Sequence, residues 1–120
     1  MDNPFTLHCI SWQSGAPLLL ETRMAASEIG LLKMEEALPD AQDESSCHAL
    51  VLSKEGRAIG SARLTPEGII ARVVVLPHER RVQIEAAMIE ALNSFARENK
   101  QAKIAVFKSK PERGNHRPAA

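Results

Sequence analysis

The sequence predicts an α/β fold, an α+β sandwich in which helices cover a mixed, largely antiparallel sheet. Three observations predict it. Residues Cys47–Leu76 hold three short apolar runs separated by two glycine-bearing turns, the pattern of an antiparallel meander. The last run, Ile69–Leu76 (IIARVVVL), is nearly all apolar, as a strand covered on both faces must be. It then passes through Pro77 into a stretch where Ile84, Met88, Leu92 and Phe95 recur at helical spacing on one face. The expected order is β-α-α-β-β-β-α-β.

Phe5–Trp12 (FTLHCISW) alternates loosely and reads as the first strand, with Phe5, Leu7, Cys9 and Trp12 inward. Gly15-Ala16-Pro17 is expected to break it. Leu18–Ile29 reads as a helix, with Leu19, Thr22, Arg23, Ala26 and Ile29 near one stripe and Gly30 as its C-cap. Leu31–Leu38 gives a second short helical piece ended by Pro39, and the acidic run Asp40–Ser46 reads as a loop. Cys47–Ser53 and Arg57–Thr65 are strands joined by Lys54-Glu55-Gly56, and Pro66-Glu67-Gly68 leads into Ile69–Leu76. Pro77 removes a backbone donor and stops that strand. Lys103–Ser109 (KIAVFKS) reads as a further strand. The Pro-, Gly-, Arg- and Asn-rich end reads as a disordered tail, leaving one domain over residues 1–110 and a tail over 111–120.

A chain of 120 residues suits a single core, and with three Phe, one Trp and no Tyr that core must be aliphatic. Formal charge is zero but uneven. Residues 1–79 carry six basic against eleven acidic side chains, and residues 80–120 carry nine against four. The basic part begins at Arg80 and Arg81, between the apolar strand and the long helix. A helix that starts beside a strand end points its first free N–H groups past that end, which makes a natural anion site. Contact with an anionic ligand is therefore the functional reading of Arg80 and Arg81, against a merely solvated turn.

Cys9 and Cys47 show no spacing that suggests zinc, so no metal is expected, and they read as buried free thiols. Nothing near Cys47 would activate it as a nucleophile. No apolar run approaches membrane-spanning length and no secretory leader is evident, which points to a soluble, cytoplasmic protein without a membrane partner. The basic tail is short and lacks aromatics for base stacking, so no nucleic acid partner is expected.

Several stretches resemble the GNAT superfamily of acyl-CoA-dependent N-acetyltransferases, in particular its ElaA-like branch. They are FTLHCISW, Leu20-Glu21-Thr22-Arg23, His48-Ala49-Leu50-Val51-Leu52, Gly60-Ser61-Ala62-Arg63-Leu64 and Arg72-Val73-Val74-Val75-Leu76-Pro77, spread from about residue 5 to residue 109. The resemblance implies acetyl-CoA as co-substrate and an amine of unknown identity as acceptor. Its pantetheine amides would pair with the backbone of Val73, Val74 and Val75. Its pyrophosphate would sit on the loop Arg80-Arg81-Val82-Gln83-Ile84-Glu85. The same resemblance places Arg23 and Glu28 on the acceptor side and makes Arg72 a substrate or cofactor contact.

The departures are informative. The family loop reads Gln/Arg-x-x-Gly-x-Gly/Ala, and here Gln83 and Glu85 fill both glycine positions. Glycine lets backbone approach phosphates closely, so acetyl-CoA binding is expected to be weakened. The family also continues past the fifth strand with another helix and two strands, which this sequence lacks, and its general acid is often a tyrosine there. No catalytic residue is assigned. An unperturbed imidazole titrates near neutrality, so His48 and His78 are candidate general bases, though a lone histidine is more often structural. Two functions follow: an N-acetyltransferase, or a catalytically degenerate domain acting through protein binding or self-association. The exposed edge of Lys103–Ser109 favours a homodimer in the second case.

Overall fold

The computed structural model describes residues 4–99 and 105–106. Its elements are β1 (Phe5–Ser11), α1 (Trp12–Glu28), α2 (Met34–Ala37), a 3-10 turn (Asp43–Ser45), β2 (Cys47–Ser53), β3 (Ala58–Leu64), β4 (Ile69–Val75), α3 (Arg81–Glu98) and β5 (Ala105–Val106). The strands form one sheet in the order β1-β2-β3-β4-β5. Neighbours are antiparallel, except that β5 runs parallel to β4, pairing Ile69 with Ala105 and Ile70 with Val106. Apart from Ala105 and Val106, the strand expected at Lys103–Ser109 lies outside the described residues, as do its edge and the tail over 111–120.

The sheet is covered on both faces. Ile84, Met88, Leu92 and Ala96 of α3 pack against Ala49, Val51, Ala62, Leu64, Ile70, Val73 and Val75. Side chains of the opposite parity meet α1 and α2: Leu19 packs with Leu50 and Ala58, and Ala26 with Leu32, Ala37 and Val74. Fully burying each large aliphatic side chain contributes about 1.5–3 kcal/mol, so the aromatic-poor core is sufficient. The predicted α3 stripe holds for its first three members. Phe95 is 36% exposed, and Ala96 takes the fourth position because four residues past Leu92 returns to the buried face.

Three further expectations are corrected. Gly15-Ala16-Pro17 does not separate the first strand from the first helix; it lies inside α1, which begins at Trp12. Ser11 caps the helix directly off the strand, its Oγ accepting from the Ser14 N–H at 3.2 Å. Pro17 costs one early intrahelical bond, and a Cβ at Gly15 would press on the flexible end of the Ile10 side chain. Trp12 accordingly belongs to α1 and not to the strand. Cys9 is exposed and Cys47 half-buried, whereas both were expected inside.

β4 carries a bulge. Ser61 faces Val74 while Arg63 faces Ala71, so Arg72 and Val73 together oppose Ala62. Arg72 absorbs the extra residue at φ 55, in the left-handed region. The bulge shifts parity, which is why Ile70 and Val73 share the α3 face.

Candidate functional site

The site forms where β4 ends. Pro77 stops the strand, and the chain turns through His78, Glu79 and Arg80 into α3. Arg81 N–H donates to the His78 carbonyl at 3.1 Å, and Ile84 N–H makes the first full helical turn to the Arg80 carbonyl at 2.9 Å. No side chain caps α3, and no acidic residue lies in its first turn. The helix therefore presents its positive end, together with Arg80 and Arg81, to one place. Arg80 Nη1 donates to Gln83 Oε1 at 3.0 Å, and Arg80 N–H donates to His78 Nδ1 at 3.0 Å. With Nδ1 accepting, a neutral His78 carries its proton on Nε2.

Two clefts meet here. One of about 580 Å³ is lined by His78–Gln83 and surrounds the start of α3. The other, about 1080 Å³, lies between the end of β4 and the end of α1 and shares His78 and Arg81 with the first. Its far wall is built by the close of α1, where Gly30 at φ 79 donates to the Ser27 carbonyl and Leu31 N–H reaches the Ala26 carbonyl. This pair of bonds is a Schellman cap. It puts Glu28, Ile29 and Leu31 along the cleft opposite Val75 and Pro77.

Of the residues singled out from sequence, the structure brings together Glu28, Val75, Arg80, Arg81, Val82 and Gln83 around these clefts. Val82 stands 68% exposed at the start of α3. Val73 and Val74 are buried on opposite faces of β4, and Ile84 is fully buried in the α3 core. Glu85 follows, half-buried. Ile29, Leu31 and Pro77 were not foreseen as lining, although apolar residues just past a predicted helix end and strand end are the available sign.

Arg23 and Arg72 are placed elsewhere, in a buried ionic network beneath α1. Arg23 grips Asp43 with two bonds of 2.8 and 3.0 Å, and its guanidinium lies 5.1 Å from the Trp12 ring centroid. Arg63 Nη1 donates to Asp40 at 2.7 Å and Asp43 at 3.1 Å. Arg72 donates to the Glu36 and Leu38 carbonyls at 2.7 and 3.1 Å and to Asp40 at 2.9 Å. Burial opposes the charged form of Asp43, but hydrogen bonds from Arg23 and the Asp40 N–H outweigh it and hold its carboxyl far below the usual range.

His48 completes the network. Its Nε2 donates to the Asp43 carbonyl at 2.9 Å, and its ring stacks obliquely 5.4 Å from Trp12. Burial, above all, pushes its pKa down. The sequence reading missed this network. The available sign was three arginines on otherwise apolar stripes, which call for carboxylates, beside one acidic run at Asp40–Ser46.

The overall fold is shared with solved structures. Ribosomal-protein-alanine N-acetyltransferase from Brucella melitensis biovar Abortus 2308 superposes with a TM-score of 0.68 over 93% of this chain and 86% of that one, at 14% identity. The chain has the GNAT fold. An aminoglycoside acetyltransferase, meta-AAC0020, from an uncultured soil metagenomic sample gives a TM-score of 0.66, with 16% identity over 91% of this chain and 80% of that one. Aminoglycoside N-acetyltransferase AAC(6')-Iy, solved in complex with CoA, gives 0.62, with 14% identity over 95% and 82%. No family model matches the chain, and no curated protein matches it. Within the GNAT fold the two clefts occupy the carboxyl end of β4. Among the described residues no helix is long and apolar enough to cross a membrane, and no three His, Cys, Asp or Glu side chains converge as a metal site would require.

Proposed function

We propose that this GNAT-fold chain binds an acyl-CoA at the start of α3 and transfers its acyl group, acetyl in the simplest case, to an amine. The observation that carries this reading is the uncapped start of α3, bearing Arg80 and Arg81, where a cleft of about 580 Å³ adjoins a larger one walled in part by Ile29, Leu31, Val75 and Pro77. The diphosphate would take the N–H groups of Val82 and Gln83, in the first turn of α3, and the two guanidiniums. The pantetheine arm would follow the backbone of Val73–Val75, and the thioester would reach the larger cleft. Solved relatives of the same fold carry acetyltransferase names, and one is a CoA complex.

In the transfer, a neutral amine adds to the thioester carbonyl carbon, the carbonyl electrons move to oxygen, and collapse expels the CoA thiolate, which takes up the proton the nitrogen gives up, leaving a neutral amide and CoA thiol. The protein contributes mainly position and a polar surround for the developing oxyanion. The ammonium must first lose a proton. Glu28 is the carboxylate on the cleft wall that can accept it, whereas His78, with its proton on Nε2, acts there as a donor.

Calorimetric and thermal-shift titration with acetyl-CoA and with CoA tests the reading. A micromolar site at millimolar ligand raises stability by about 4 kcal/mol. Arg80→Ala and Arg81→Ala are each expected to weaken binding about tenfold, the loss of one charge-assisted phosphate contact. Gln83→Gly combined with Glu85→Gly is expected to tighten it, by letting backbone approach the phosphates. Absence of any shift at millimolar ligand overturns the proposal and leaves the non-catalytic binding domain as the reading to pursue.

A further inference from the structure

The edge strand β1 brings the chain's two cysteines together. In the β1–β2 register Cys9 faces Ala49 and Ser11 faces Cys47, so Cys9 and Cys47 are diagonal neighbours with side chains on the same face. Cys47 packs against the α3-side core, while Cys9 is exposed. One thiol is thus open to solvent and the other waits beside it, half-sheltered.

We propose that Cys9 and Cys47 are a peroxide-oxidised thiol pair, which closes reversibly into a disulfide joining β1 to β2. The hydrogen bond from the Cys47 thiol favours the Cys9 thiolate and lowers its pKa to about 7, against the smaller effect of burial. The same coupling, reinforced by burial, pushes the Cys47 thiol up. The roles divide accordingly. The Cys9 thiolate attacks one oxygen of a hydroperoxide and the O–O bond breaks. Cys9 becomes a sulfenic acid, and the peroxide is reduced to water or an alcohol after taking up a proton. Cys47 sulfur then attacks Cys9 Sγ, the S–O bond breaks, and hydroxide leaves with the Cys47 proton as a second water. A dithiol reductant restores both thiols by exchange.

The link falls at a consequential place. β1 enters α1 without a loop, through the Ser11 cap, so pinning Cys9 to Cys47 fixes the strand–helix junction against the sheet. Because β1 has a neighbour on one side only among the described residues, it can shift to meet disulfide geometry without disturbing a second described ladder.

The test treats the fully reduced chain with stoichiometric hydrogen peroxide, blocks remaining thiols and digests with trypsin. The expected product is a monomer in which the peptide Met1–Arg23 is joined to Met34–Lys54, separated again by dithiothreitol. Cys47→Ala, which removes the donor as well as the sulfur, should abolish the link and carry Cys9 on to sulfinic acid. It should also slow alkylation of Cys9 at neutral pH about threefold, the net of less thiolate and a more nucleophilic one. Cys9→Ser should leave Cys47 unoxidised under the same dose. Cys9-to-Cys9 dimers with Cys47 still free, over-oxidised Cys9 in the unmodified chain, or unchanged alkylation of Cys9 in Cys47→Ala would each overturn the proposal.

Discussion

Arg23 is 1% exposed, yet its guanidinium keeps two nitrogens on the Asp43 carboxylate and lies against the Trp12 ring. Removing it strands a buried carboxylate that still holds Arg63 and the Asp40 N–H. Arg23→Ala is therefore expected to cost about 3–5 kcal/mol in urea unfolding, while Arg23 and Asp43 replaced together by apolar residues should cost far less. Arg72 makes a second, sharper case, since its φ of 55 strains any residue with a Cβ. Both Arg72→Ala and Arg72→Gly lose the bonds to Glu36, Leu38 and Asp40, but only glycine relaxes the bulge. Arg72→Gly should thus be the more stable of the two by about 1 kcal/mol, the reverse of the order in a regular strand; equal stabilities would argue against a strained bulge. Sequence alone offered substrate contacts for both arginines. Their partners lie 20 to 36 residues away, and no local spacing reports such a distance.

α3 shows what an element of this fold does with charge. Arg80 and Arg81 sit at its N-terminus, the end where cations are unfavourable by about 0.3–1 kcal/mol each, while Arg97 sits well in its last turn. An arrangement that costs stability and gathers positive charge at a cleft is what anion binding requires. Arg81→Glu is accordingly expected to stabilise the ligand-free protein by about 1 kcal/mol at low salt while weakening acetyl-CoA by more than tenfold. A variant less stable than the parent would show that Arg81 has a structural task instead. The helix itself was legible because Ile84, Met88 and Leu92 keep a strict period of four, as were β2, β3 and β4 from their bounding glycines. The start of α1 was not. Gly15 and Pro17 carry strong local turn preferences, and what overrides them is the Ser11 cap together with the packing of Leu19 and Ala26 against the sheet, a tertiary fact. The clefts were half legible: the strand-to-helix turn announces an anion site, but the opposing wall comes from the end of α1, some fifty residues earlier in the chain.

For the molecule as a whole, the two sides of the sheet respond differently to acid. The buried members of the α3-side core are aliphatic and do not titrate in acid, whereas the α1 side joins α1, the Asp40–Ser46 segment, β2, β3 and β4 through Arg23, Asp40, Asp43, His48, Arg63 and Arg72. His48 is held neutral in the fold, first by burial and also by the nearby Arg23 and Arg63, so its folded pKa lies below the unfolded value near 6.5. A depressed histidine leaves the unfolded chain binding more protons, and stability present above pH 6.5 is lost as pH falls below it. Asp43 and Asp40 both titrate below the unfolded value of 3.8, where burial is outweighed by Arg23 for the first and Arg63 for the second. Their contribution is complete above about pH 4 and disappears on further acidification. The two effects add in sign but not in range. Urea midpoints taken from pH 8 to pH 3 at constant ionic strength should begin to fall below about 6.5 and fall more steeply below about 4. His48→Gln can still donate to the Asp43 carbonyl but does not titrate, so it should flatten the upper limb and leave the lower one. Asp43→Asn should do the opposite, at a lower stability throughout. If His48→Gln keeps the parent's loss between pH 6.5 and 4.5, the group that titrates there lies outside this network, and the acid response does not originate under α1.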